Sequence, residues 1–204
     1  MIKNIVLDFG GVVLTDDDVG VLFDNKEIKE RYGVSDQVLH DAWVKYWHEV
    51  GEGRMTIFQF YDNFQKEISG KVDGGLSIEL FKIYKSRTRT LEPYDILPNL
   101  KRKYKILALT NIFKEGYEFK REKYGLDNFF EMIIASCEVG VSKPNQDIFQ
   151  ILLDRSKIIP EESLFVDDRE KNTVQASKMG FNTLLYDNFT NFKEKLIDFG
   201  IKYE

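Results

Sequence analysis

Five short, unbroken apolar runs constrain this 204-residue chain more than anything else in it. They are Ile5-Val6-Leu7, Ile106-Leu107-Ala108-Leu109, Met132-Ile133-Ile134-Ala135, Ser163-Leu164-Phe165-Val166 and Thr183-Leu184-Leu185-Tyr186. Each is too short for a helix. Each is continuous rather than alternating, as a strand buried on both faces should be. Helical spacing fills the gaps between the last four. Residues 115–124 carry Tyr117, Phe119 and Tyr124, residues 145–157 carry Ile148, Phe149 and Leu152, and residues 170–179 end before Gly180. Strand–helix alternation predicts an α/β fold, a doubly wound Rossmann-like parallel sheet of about five strands. Phe189 to Ile201 reads as a final packing helix.

The first run stands far from the second. Between them, apolar residues recur at helical spacing in three groups: Val38, Leu39, Ala42, Trp43, Tyr46 and Trp47; then Ile57, Phe58, Tyr61 and Phe64; then Leu80, Phe81 and Tyr84. Turn signals at Gly51-Glu52-Gly53 and from Gly70 to Gly75 separate them. The expected organisation is a core of residues 1–15 and 96–204, with residues 16–95 inserted as a helical cap. An insertion there lies over the carboxyl ends of the strands, where open α/β sheets bind ligands. A lid is the expected role, against the alternative of a purely structural bundle.

Composition narrows the partners. A net charge of −5 with scattered Lys and Arg speaks against nucleic acid and anionic membrane. No apolar run approaches spanning length. The single cysteine, Cys137, excludes an intrachain disulfide framework and a cysteine metal cluster. Met1-Ile2-Lys3-Asn4 runs into a stretch too short for a signal peptide, so a cytoplasmic location is expected. Whether the chain is a monomer or a homodimer stays open.

Polar residues follow four of the runs: Asp8-Phe9-Gly10-Gly11, Thr110-Asn111, Ser142-Lys143-Pro144 and Asp167-Asp168. A parallel sheet gathers such ends at one edge. Three clustered carboxylates repel one another unless a cation sits among them. Oxygen-only ligands suit a hard ion, Mg²⁺ first, which would also screen a phosphate for attack by a carboxylate. Lys143 adds a second cation, and Thr110 with the amides near Gly10 and Gly11 would hold phosphate oxygens. Singly, each feature has an ordinary explanation: a turn, a core hydroxyl, a helix cap. The ordered set, each member at a strand end, is far more specific.

With these residues in this order, the chain resembles the haloacid dehalogenase-like hydrolases over nearly its whole length, including that family's cap between the first and second motifs. The resemblance implies that Asp8 attacks phosphorus and forms an aspartyl-phosphate. It implies that Thr110 binds the phosphate and that Lys143 balances charge. Mg²⁺ would be held by Asp8, the Gly10 carbonyl, Asp167 and Asp168. Asn111 and Asn172 match positions that orient groups around the site. Gly10, Gly11, Asn111 and Arg54 are the expected substrate contacts. The implied function is Mg²⁺-dependent hydrolysis of a small phosphorylated metabolite, a sugar phosphate among the candidates.

One position departs from the pattern. The family's phosphatases usually carry a second aspartate two residues after the nucleophile, to protonate the leaving alcohol and then activate water. Here that residue is Gly10, which can do neither. Replacements are available in Asp16, Asp17 and Asp18, or in His48 and Glu52 of the insertion. A good leaving group, such as that of an anomeric sugar phosphate, needs little protonation. Arg54, in Gly51-Glu52-Gly53-Arg54-Met55-Thr56, is either a substrate contact or a solvated residue in a helix–helix turn capped by Thr56. His40 and His48 lack a third metal ligand nearby. Two other functions fit the same residues. A non-catalytic protein would bind metal or phosphate without turnover. A 2-haloacid dehalogenase needs neither Mg²⁺ nor a leaving-group proton.

Overall fold

In a computed structural model of the chain, five parallel strands form one sheet in the order β3-β2-β1-β4-β5. The structure describes residues 1–15, 26–33, 35–70, 72 and 75–204. The candidate acids Asp16, Asp17 and Asp18 lie outside the described residues, as does part of the Gly70–Gly75 turn. The strands are β1 (Asn4–Leu7), β2 (Lys105–Thr110), β3 (Met132–Ala135), β4 (Ser163–Asp167) and β5 (Asn182–Leu185). Each coincides within a residue with an apolar run of the sequence. Side chains alternate between faces along each strand. Ile5, Leu7, Ile106, Ala108, Leu164 and Val166 pack on one side of the sheet. Val6, Leu107, Leu109 and Phe165 pack on the other.

Helices between β1 and β2 are α1 (Lys26–Tyr32), α2 (Asp36–Gly51), α3 (Ile57–Ser69), α4 (Gly75–Arg87) and α5 (Glu92–Lys101). After β2 come α6 (Lys114–Lys123), a one-turn α7 (Ser136–Val139), α8 (Gln146–Ser156), α9 (Glu170–Lys178) and α10 (Phe189–Asp198). Helix α5 covers the sheet through Leu97 and Leu100. By contrast, α2, α3 and α4 have a core of their own, built on Phe60, Tyr61, Phe64, Leu80 and Tyr84. Phe113, from the loop after β2, joins it from the sheet side, with its ring 5.0 Å from that of Tyr84.

Two linkers lead into and out of this helical layer, and they pair with each other. Thr15 N donates to Arg89 O at 3.0 Å and Leu91 N to Val13 O at 2.9 Å. The buried Lys120 ammonium donates to Thr15 O at 3.3 Å. Among the described residues, no helix is long and apolar enough to cross a membrane.

Candidate active site

Register decides which side chains meet. Leu7 of β1 is level with Val166 of β4, so Asp8 and Asp167, one residue on, emerge side by side. The amide of Asp8 donates to Val166 O at 3.0 Å and locks that alignment. Thr110 ends β2 on the other side of β1 and is buried. This is the carboxyl edge of the sheet at the strand where the order reverses, the crevice in which doubly wound folds take ligands.

Lys143 reaches the centre of the crevice. Its ammonium is fully buried and lies 3.1 Å from Asp8 Oδ1 and 2.6 Å from Asp167 Oδ2, and it donates to Leu109 O at 2.7 Å. Asn111 holds the backbone that carries it. Its Nδ2 donates to Lys143 O at 2.9 Å, and its Oδ1 accepts from Lys143 N at 2.8 Å. Asn111 therefore positions Lys143 with both ends of its amide. Asn172 holds Asp167 with one end of its amide, Nδ2 donating to Oδ1 at 2.8 Å.

Asp8, Asp167 and Asp168 each turn one carboxylate oxygen into a group whose members lie within 4.8 Å of one another. Burial first, then the neighbouring Asp167 and Asp168, push the Asp8 carboxyl up to about 7 against the downward pull of Lys143. Burial alone would depress the Lys143 ammonium, but Asp8 and Asp167 hold it above its ordinary value. Three carboxylates against one ammonium leave the cluster negative. Its donors are all oxygens, and the Oδ1 of buried Asn172 beside it has no hydrogen-bond partner among the described residues. A small hard cation such as Mg²⁺ fits this donor set.

The amide of Gly11 donates to Leu14 O at 2.9 Å. The amide of Phe9 donates to Asp8 Oδ1 at 2.7 Å. Gly11 serves by having no side chain. Its φ is +75°, and a Cβ there would fall 2.5 Å from Asp168 Oδ2. Gly10 pairs with Leu14 in an isolated bridge.

A cavity of about 450 Å³ lies between the helical layer and this edge. Trp43, Trp47 and Glu52 line it from the layer, and Asn111, Lys143 and Arg169 from the core. Arg54 is not in its wall and lines a separate surface cavity with Met55 and Gln59. Its guanidinium is held by Glu49 at 2.9 and 3.0 Å and by Glu52 at 2.6 Å. Thr56 caps α3 with Gln59 in a reciprocal capping box, which is the turn alternative for this segment. The two candidate acids of the layer are also engaged. Arg54 Nη2 lies 2.8 Å from His48 Nδ1, and arginine can only donate, so that nitrogen accepts. His48 Nε2 then carries the proton and faces Glu52 Oε1 at 3.2 Å.

Sequence reasoning missed one residue that ties the two parts together. Ser136 is fully buried at the start of α7. Its hydroxyl donates to Gly51 O at 2.5 Å and accepts from Ile112 N at 3.0 Å. A lone serine after a strand carries no pattern that would have marked it.

The haloacid dehalogenase-like hydrolase family profile matches residues 2–179. The chain belongs to this family. Among similar hydrolases, a D-ribitol-5-phosphate phosphatase of Bacteroides thetaiotaomicron is 28% identical over 213 residues, covering 96% of this chain and 97% of its own. A glyceraldehyde 3-phosphate phosphatase of Methanopyrus kandleri is 33% identical over 100 residues, 46% of this chain and 43% of its own. A family enzyme of Bacteroides thetaiotaomicron, solved with magnesium and inorganic phosphate, superposes with a TM-score of 0.71 at 21% identity, covering 94% of this chain and 99% of that one. The fold is thus that of the family's enzymes.

Proposed function

We propose that this hydrolase is a Mg²⁺-dependent phosphatase of a small phosphorylated metabolite, working through an aspartyl-phosphate on Asp8. The observation that carries the reading is the buried Lys143 ammonium bridging Asp8 and Asp167, with Asp168 in the same oxygen cluster. The phosphatase names of the two relatives above support it. Asp8, the Gly10 carbonyl, Asp167 and Asp168 would hold Mg²⁺, which would screen the phosphate charge and favour the ionised form of Asp8. Lys143 neutralises Asp8 and the incoming phosphate in turn. Thr110 is assigned to the phosphate. An Asp8 carboxylate oxygen attacks phosphorus as the ester P–O bond breaks, and the leaving oxygen takes a proton from water. Water then attacks the acyl-phosphate and frees Asp8 and inorganic phosphate.

Residues 16–95 are proposed as the lid and residues 1–15 and 96–204 as the catalytic core, in a cytoplasmic enzyme. Asn111 positions Lys143 and, from the cavity wall, is also proposed as a substrate contact. Arg54 has its acidic partners in the layer itself.

The test is phosphate release from a panel of small esters, with and without Mg²⁺, by the native protein and by Asp8→Asn. Turnover that needs both is expected, with a loss of about 10⁴-fold or more on removing the nucleophile. Mg²⁺ binding without release from any ester would instead mark a non-catalytic protein, the reading that Gly10 favours. Dehalogenation fits less well, because the acidic cluster without a metal repels a haloacid carboxylate.

A further inference from the structure

The turn between α2 and α3 is fixed to the core on both sides of Glu52. On one side, Gly51 O accepts from the buried hydroxyl of Ser136. On the other, Gly53 has φ +72°, and a Cβ there would fall 2.2 Å from Cys137 O, so the two backbones touch. The side chain between them is as constrained as its backbone. Glu52 is 8% exposed, with Oε2 at 2.6 Å from Arg54 Nη1 and Oε1 at 3.2 Å from His48 Nε2. A carboxylate has about four acceptor sites, and these two partners leave others open. Glu52 lines the cavity that Lys143 lines from the opposite wall.

We propose that Glu52 is the specificity-determining residue for the leaving group, a fixed carboxylate that accepts hydrogen bonds from the hydroxyls of a neutral, polyhydroxylated alcohol. This rests on the phosphatase reading above. Two features of the cavity agree with it. The indoles of Trp43 and Trp47 stack at 3.7 Å and offer the C–H faces of a polyol an apolar wall. The charges are divided, with Lys143, Arg169 and Lys171 on the core wall and Glu52 on the helical wall. A molecule with a phosphate at one end and neutral hydroxyls at the other matches that division. One that is anionic at both ends sets its second charge against Glu52.

Glu52 is not the leaving-group acid in this arrangement. Both of its side-chain partners, Arg54 at 2.6 Å and His48 at 3.2 Å, are donors, so Glu52 is assigned as an acceptor.

The experiment compares native protein, Glu52→Gln and Glu52→Asp on D-ribitol 5-phosphate, propyl phosphate and phosphoglycolate, all with Mg²⁺. Glu52→Gln should lose about 10- to 100-fold in kcat/KM on D-ribitol 5-phosphate, chiefly through KM, as expected for hydrogen bonds to a charged acceptor. It should hold propyl phosphate within about twofold and gain on phosphoglycolate. Glu52→Asp, which keeps the charge and shortens the reach, should fall between. Propyl phosphate needs a leaving-group proton as much as the polyol does but has no further hydroxyl. Equal losses on both esters would therefore overturn the proposal in favour of an acid or a folding role, and no loss on either would overturn it outright. If the native protein turns over no ester, the phosphatase reading fails, and binding decides the role of Glu52. In an Asp8→Asn background, calorimetry should give a Kd for D-ribitol 5-phosphate weakened about 10- to 100-fold by Glu52→Gln. An unchanged Kd would overturn the proposal.

Discussion

Lys143 and Arg54 are both cations set between two carboxylates, yet they sit in opposite environments. Lys143 is buried between Asp8 and Asp167 at the sheet edge. Arg54 is half-exposed between Glu49 and Glu52 on the helical layer. In the first, low polarity makes each charge depend on its partners, since removing one leaves others buried and uncompensated. In the second, the guanidinium is open to water, which screens its pair with exposed Glu49 more than its pair with buried Glu52. Two glycines repeat the contrast. Gly11 and Gly53 have nearly equal φ, +75° and +72°, and both allow a contact that a Cβ would forbid. Gly11 makes room for a carboxylate of the acidic cluster, whereas Gly53 makes room for a neighbouring backbone. Under the proposed reading, the core edge would serve the chemistry and the layer's turn the recognition.

Breaking the buried trio should have the largest effect. Lys143→Met is expected to cost about 10³-fold in turnover, through loss of charge stabilisation at the reacting phosphate. In the metal-free protein it should also cost about 3 kcal/mol or more in urea unfolding, because Asp8 and Asp167 remain buried without their counter-charge. Added Mg²⁺ should restore much of that stability and little of the turnover. Full turnover in Lys143→Met would remove the contrast altogether.

The glycine pair should separate next. Gly11→Ala must push Asp168 aside, so its Mg²⁺ affinity should fall about 10- to 100-fold, in the range found when groups that support a metal site are disturbed. Gly53→Ala should leave Mg²⁺ affinity near native while lowering the melting temperature, since both φ and the contact with Cys137 oppose a side chain. Calorimetric titration of both variants measures this. If Gly53→Ala lost as much Mg²⁺ affinity as Gly11→Ala, the turn and the acidic cluster would be one unit.

The sheet was legible because burial on both faces writes itself as continuous apolar runs, and because parallel strands deliver the residues at their carboxyl ends to one edge. Asp8, Thr110 and Asp167 reach that edge at or next to the ends of their strands, with Asp168 following Asp167, whereas Lys143 comes in from the loop after α7. The two faces of the Asn111 amide were not legible, because the pairing with Lys143 spans residues that no local pattern links. The fate of the Gly11 amide depends on a turn closed by Leu14, and that of Arg54 on rotamers among close neighbours. Ser136 reaches a carbonyl 85 residues away. The sequence did hint at the layer's turn, where two glycines bracket one acid, but not at which way that acid faces.

Acidity sharpens the comparison further. The Asp8 carboxyl is raised from 3.8 to about 7 in the metal-free protein, so the folded chain holds this proton more tightly than the unfolded one. Its contribution to stability is complete below 3.8 and is lost as pH rises through about 7. Mg²⁺ must displace the same proton. Its affinity should therefore drop about tenfold per pH unit below 7 and level off above, with its stabilisation larger at pH 8 than at pH 5.5. Thermal shifts at fixed Mg²⁺ across that range test this, and a flat profile would place the proton elsewhere.

The smallest effect is expected at the exposed end. Arg54→Met removes a cation from Glu49 and Glu52 without touching the cavity wall. Glu52 would keep its backbone contacts through Gly51 and Gly53 and lose one of its two side-chain holds. The carboxylate stays in place but moves more freely, so KM for a polyol phosphate should rise about two- to fivefold with kcat nearly constant. High salt should produce a smaller rise in the native protein, because it screens the exposed pair with Glu49 more than the buried one with Glu52, and should add little in Arg54→Met. If the substitution instead matched Lys143→Met in lost turnover, Arg54 would belong to the reacting centre, and the division between a buried chemical edge and an exposed recognition turn would fail.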